Sequence, residues 1–135
     1  MASRRKAKKF NNRYDGGFSV QMKHIEEDIV EEVKTAMYEA MDGVAEEAAN
    51  KLKATSPRLT GDYANGWDWY KLPYGARVYN ATDYQLTHLL EFGHAVRPRP
   101  THPGKKKRVA GIPHIAPVEQ WANQELENRI ARLLQ

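Results

Sequence analysis

The stretch Val20–Gly61, VQMKHIEEDIVEEVKTAMYEAMDGVAEEAANKLKATSPRLTG, decides the architecture. Apolar or small residues recur at Met22, Ile25, Ile29, Val33, Ala36, Ala40, Val44, Ala48 and Leu52. The steps are three or four, so these side chains form one stripe, and the spacing predicts a helix from about residue 20 to 53. Acids gather at its start (Glu26, Glu27, Asp28, Glu31, Glu32) and Lys51 and Lys53 at its end, the polarity that suits a helix dipole. Such a helix would be about 50 Å long. Gly43 interrupts it with a residue about 1 kcal/mol poorer than alanine, which signals a bend or a close approach there. Pro57 drives Ser56 out of helical geometry and stops it.

Beyond Thr60-Gly61 the period changes. Trp67-Asp68-Trp69-Tyr70 and Arg77-Val78-Tyr79 are aromatic and β-branched, and Pro73-Tyr74-Gly75 between them reads as a hairpin turn. Alternation puts Trp67 and Trp69 on one face, where core or interface packing is expected in preference to base stacking. A short helix follows through Tyr84, Leu86, Leu89 and Leu90, with Asp83 as its cap and Gly93 as its stop. In that reading Phe92 anchors the helix in the core and Gly93 supplies a positive φ. Residues 94–111, with three prolines and a lysine run, read as an extended mobile loop, a distorted hairpin with a return strand from Val109 to Ile112. After Pro117 a last helix spans about Val118 to Leu134. The expected fold is α+β: a long N-terminal helix, a small antiparallel sheet of two to four strands, a long basic loop, and a C-terminal helix, the two helices on one face of the sheet. Residues 1–17 read as a disordered basic arm ending in Asp15-Gly16-Gly17, and 18–135 as one domain.

Charge is segregated along the chain. The arm carries Arg4, Arg5, Lys6, Lys8, Lys9 and Arg13; the loop carries Arg97, Arg99, Lys105, Lys106, Lys107 and Arg108. Together they hold twelve of the 21 Lys and Arg residues, which leaves nine against 17 acids, a body of net charge −8. An acidic body with basic appendages predicts electrostatic docking, onto nucleic acid or onto acidic protein surface including further copies of the chain.

Chemistry is hard to find. Cysteine is absent, which excludes disulfides and thiolate metal sites. No apolar run approaches a membrane span, and no apolar stretch follows the basic N-terminus as a secretory signal would require. The five histidines include no HExxH or His-x3-His pair; His88, His94, His102 and His114 read as loop and surface residues, with no metal expected. Asp62, Asp68, Asp83 and Glu91 form no recognisable catalytic pattern, and neither GxSxG nor a phosphate-cradling loop occurs. The expectation is a protein without catalytic residues or cofactor.

Three segments in order carry a family resemblance: Ser56-Pro57-Arg58-Leu59-Thr60-Gly61 at the end of the long helix; Val78-Tyr79-Asn80-Ala81-Thr82-Asp83-Tyr84 followed by Leu90-Glu91-Phe92-Gly93-His94; and Ile112-Pro113-His114-Ile115-Ala116-Pro117-Val118 before the last helix. Over about residues 20–134 the chain resembles the small neck and tail-component proteins of long-tailed double-stranded DNA bacteriophages. The resemblance implies a virion structural subunit at the head–tail junction or tail end, made in the host bacterial cytoplasm. It implies a homo-oligomeric ring around the DNA passage, hexameric from the sixfold symmetry of such tails or dodecameric nearer the portal. Its partners would be neighbouring connector and tail proteins, with non-specific contact to genomic DNA in the lumen and no membrane. The competing reading is a small nucleic-acid-binding module that uses the same arm and loop, and a weaker one is an assembly chaperone or nuclease-like enzyme. The acidic body favours the ring subunit.

One consequence is open to protease. Trypsin should cut within residues 1–17 well before it cuts the long helix; equal resistance of the two segments would contradict the arm assignment.

Overall fold

The computed structural model describes residues 15–21, 31–96, 104 and 107–135. The elements are β1 (Phe18–Gln21), α1 (Glu31–Thr55), α2 (Asp62–Asn65), β2 (Trp67–Leu72), β3 (Gly75–Asn80), α3 (Leu86–Phe92), β4 (Gly93–Val96), β5 (Lys107–Ala110) and α4 (Ile115–Leu133). The fold is α+β, with a three-stranded antiparallel sheet in the order β1-β3-β2 and a separate two-stranded ribbon of β4 and β5.

The sheet follows from alternation. Across β2 and β3, Trp67 faces Asn80 and Trp69 faces Val78. With Ala76 they point inward and are buried, as are Phe18 and Val20 of β1. Against this face α1 lays Met37, Met41, Val44, Ala48 and Leu52, with Ala45 and Ala49 beside them. Alanines at these positions let the helix approach the sheet, while Met37 and Met41 add bulk to the core from the first half of the helix. In its second half the buried stripe runs through Val44, Ala48 and Leu52 as the spacing predicts. In its first half it passes through Met37 and Met41 rather than Ala36 and Ala40, which are only half-buried.

Two boundaries differ from the sequence reading. Val20 and Gln21 belong to β1, which pairs with β3 at Val78 through Gly75; they do not begin the long helix, whose described part starts at Glu31. The positions Met22, Ile25 and Ile29 lie outside the described residues. α4 starts at Ile115, not Val118, with Pro117 inside its first turn. A proline there loses no helical hydrogen bond, because the first N–H groups of a helix have no intrahelical partner.

Asp15-Gly16-Gly17 is docked on the sheet. The Asp15 carboxylate accepts from Arg77 Nη2 at 2.6 Å and Nε at 3.2 Å, and its carbonyl accepts the Asn80 N–H at 3.2 Å. The rest of the basic arm, residues 1–14, lies outside the described residues.

Helix α4 runs antiparallel to α1. Lys51 Nζ sits 4.5 Å over the Trp121 ring, and Glu47 further back along α1 pairs with Arg129. Arg129 Nε also donates to Glu125 Oε1 at 2.9 Å. Gly43 makes the close approach its composition suggested: a Cβ there would stand 3.0 Å from Arg129 Nη1. Val118, Ala122 and Leu126 complete the core from the α4 side.

Trp67 is 1 % exposed and its indole N–H donates to Ser56 Oγ at 2.8 Å. Trp67→Ala should therefore cost about 3–5 kcal/mol in chemical denaturation, the range for truncating a large buried aromatic. An unchanged denaturation midpoint would contradict the packing described.

Candidate functional site

The third and second motif segments meet where α3 ends and α4 begins. Glu91 lies on the last turn of α3, one residue before an exposed Phe92. This reverses the expectation that Phe92 anchors the helix: Phe92 is 62 % exposed and Glu91 is 6 % exposed. The short helix is capped differently too. Its N-cap is Gln85, without a side-chain hydrogen bond, and Asp83 contributes its backbone carbonyl to Leu86 N–H.

The Glu91 carboxylate faces the first turn of α4. It accepts the N–H of His114 at 2.7 Å, of Ile115 at 2.9 Å and of Ala116 at 3.0 Å. A helix start leaves four N–H groups without intrahelical partners. Glu91 takes three of them, and the fourth position is Pro117, which has none. The negative charge also sits at the positive end of the α4 dipole. Burial by itself would raise the Glu91 pKa. The three backbone donors, helped by the His114 ring, outweigh it and hold the carboxyl below its ordinary value.

His114 is buried, contrary to its reading as a loop histidine. Its Nδ1 lies 2.7 Å from the Ile112 carbonyl and 3.0 Å from Glu91 Oε2, and its Nε2 lies 2.6 Å from the Tyr63 hydroxyl. A ring protonated on Nδ1 satisfies all three: Nδ1–H donates to oxygen, and Nε2 accepts from Tyr63. Tyr63 also stacks edge-on with Trp67 at 5.8 Å and with His114 at 5.6 Å. Its backbone carbonyl accepts from Asn80 Nδ2 at 2.8 Å, while Asn80 Oδ1 organises the following turn by accepting the N–H groups of Thr82 and Asp83. Ser56, Trp67, Tyr63, Asn80, His114 and Glu91 thus form one buried polar and aromatic spine.

An acid, a histidine and a tyrosine in contact resemble a catalytic constellation, but their polar atoms are turned on one another. The cleft beside them, lined by Gly16, Thr87, His88, Glu91, Phe92 and Glu119, holds about 140 Å³, below the roughly 300–1,000 Å³ of small-molecule sites. Among the described residues no group of three His, Asp or Glu could hold a metal ion, and no helix is long and apolar enough to cross a membrane.

The Glu91 end of the spine leads into the ribbon. Gly93, at φ 78°, turns the chain from α3 into β4, and a Cβ there would stand 2.3 Å from the Val109 carbonyl. β4 pairs with β5 from Gly93↔Ala110 to Val96↔Lys107, so the return strand starts at Lys107, ahead of the Val109 the sequence suggested. Every residue of β5 is exposed. Of the basic residues proposed as contacts, Lys107 and Arg108 stand on this strand, and Arg108 Nη2 donates to the Phe92 carbonyl at 2.9 Å. Arg4, Arg5, Lys6, Lys8, Lys9, Arg97, Arg99, Lys105 and Lys106 lie outside the described residues. Sequence reasoning passed over Glu91 and His114 as structural partners, because they are 23 residues apart and no local pattern links them; Pro117 in a helix's first turn was the one available signal.

Residues 18–93 match the family model described as "Bacteriophage HK97-gp10, putative tail-component". No curated protein and no solved structure matches the chain.

The Glu91 geometry has a pH signature. A carboxyl whose pKa is lower folded than unfolded contributes its full stabilisation above the ordinary carboxyl range and loses it as pH falls through the folded value. Glu91→Gln should cost about 1.5–3 kcal/mol at neutral pH, the range for hydrogen bonds to a charged group, and should flatten the acid side of the stability profile. Urea denaturation between neutral and acid pH measures both; a variant as stable and as acid-sensitive as the parent would contradict the capping role.

Proposed function

Since the chain belongs to the HK97-gp10-like family of bacteriophage tail components, we propose that it is a structural subunit of a ring at the head–tail junction, built into the virion and acting by protein–protein assembly around the DNA passage. The observation that carries this reading is where the family's motifs lie. Ser56, Asn80, Glu91 and Gly93 serve the interior of the subunit, so these motif residues build a rigid body and are turned away from any substrate. What remains for function is surface: the exposed ribbon with Lys107 and Arg108, and the basic arm.

The role needs neither catalysis nor cofactor. Six or twelve copies would surround the passage, contacting connector and tail proteins, with basic residues from 1–17 and 97–108 facing neighbours or the DNA phosphates. The rival reading, a stand-alone nucleic-acid binder, is less well supported. It would use strand aromatics as stacking platforms, and Trp67 and Trp69 are buried in the core.

The test is made in the phage that encodes the protein. Deleting its gene should leave filled heads and tails unjoined in electron micrographs, and complementation with a labelled copy should restore particles with label at the neck. Label only at the distal tip, or complete particles without the protein, would overturn the assignment.

A further inference from the structure

The two ends of the helical layer differ in a complementary way. At the end where α4 begins, Phe92, Val96, Val109 and Ile112 are exposed apolar residues on and around the β4–β5 ribbon. In the register of the ribbon Val96 pairs with Lys107 and His94 with Val109, so alternation places Val96, Val109 and Lys107 on one face, with Arg108 on the other. Lys107 and Arg108 are exposed on β5. This end is apolar and basic. A two-stranded ribbon is marginal in water by itself, and both of its outer edges lack a strand partner among the described residues.

At the other end, about 28 Å away along the 19 residues of α4, Leu133 and Leu134 are exposed at 42 % and 64 %. Because α4 is antiparallel to α1, they lie beside the first half of α1, where Glu31, Glu32 and Glu39 are exposed. Lys34 answers Glu31 at 3.6 Å, and Arg132 answers Glu125 at 3.5 Å. Over this part of the helix three acids, Glu31, Glu32 and Glu39, are exposed against the one lysine. This end is apolar and acidic.

We propose that the apolar, basic end formed by Phe92, Val109 and the β4–β5 ribbon docks on the apolar, acidic end formed by Leu133, Leu134 and the start of α1 in a second copy of this chain. The contact joins two different surfaces, so it is heterologous: each copy keeps one free end of each kind, and the series closes into a ring or continues as a filament. It rests on the ring-subunit reading only for closure. Apolar contact supplies the attraction, and charge complementarity sets the direction and disfavours pairing of like ends.

Two double variants, both at exposed positions, test it. The first carries Phe92→Asp and Val109→Asp; the second carries Leu133→Asp and Leu134→Asp. Native mass spectrometry over rising concentration should give a closed oligomer for the parent and monomers for each variant alone. An equal mixture of the variants should give a dimer of one copy of each and nothing larger, because only one intact pair of ends remains. If circular dichroism shows that the first variant loses helicity, Lys107→Glu with Arg108→Glu replaces it, with an expected weakening of at least tenfold. Either folded variant assembling like the parent would overturn the proposal, as would a mixture that stays monomeric. A parent that is monomeric at every concentration would overturn it too. The neck assignment falls separately, by the location of the label in virions.

Discussion

A buried carboxylate against the start of a helix holds this molecule in its shape. Glu91 reaches from α3 to α4 and satisfies three backbone donors that no residue of α4 could satisfy itself. Without it the His114 N–H would be buried and unpaired, at about 1–3 kcal/mol, and the part-buried Ile115 and Ala116 N–H groups would lose their partner. The consequence is positional as much as energetic. Once Glu91 is fixed on α4, the next residue points to solvent and the one after it must turn at positive φ, which launches the β4–β5 ribbon from a defined place.

The rest of the interior connects to that contact. His114 is held between Glu91 and Tyr63, Tyr63 packs on Trp67, and Trp67 bonds Ser56 at the end of α1. A polar network inside a small core is sound only when its members are satisfied, and this one spans α1, α2, β2, β3, α3 and α4. It explains why short, chemically suggestive motifs can be purely architectural. Ser-Pro-x-x-Thr-Gly, Val-Tyr-Asn and Glu-Phe-Gly are the points where separate elements are tied together. The body's elements are tied together through these side chains, since the chain has no cysteine with which to do so.

Much of this was legible in the amino-acid sequence. The Val44, Ala48, Leu52 stripe, the Trp67/Trp69 alternation, the hairpin after Leu72 and the positive φ of Gly93 follow from local periodicity and backbone sterics. β1 was hidden because it is only four residues long and runs directly up to Met22, where the three-four stripe begins, so the helical pattern was extended back over Val20. Glu91 and Phe92 were assigned the wrong way round for a general reason: hydropathy places phenylalanine inside and glutamate outside, and only a partner distant in sequence makes the reverse favourable. His114 was misread on the same ground, since its environment is set by Tyr63, 51 residues earlier. The proposed contact residues were chosen by charge alone, and of them the structure describes only Lys107 and Arg108, exposed on β5.

The Glu91 carboxylate caps α4 in the folded protein as a permanent part of its architecture. Native-state hydrogen exchange reads this at the three donors themselves. The amides of His114, Ile115 and Ala116 should exchange as slowly as the core amides of α1, through global unfolding, although first-turn amides of a helix ordinarily exchange fast. Rapid exchange at all three, with α1 still protected, would contradict it.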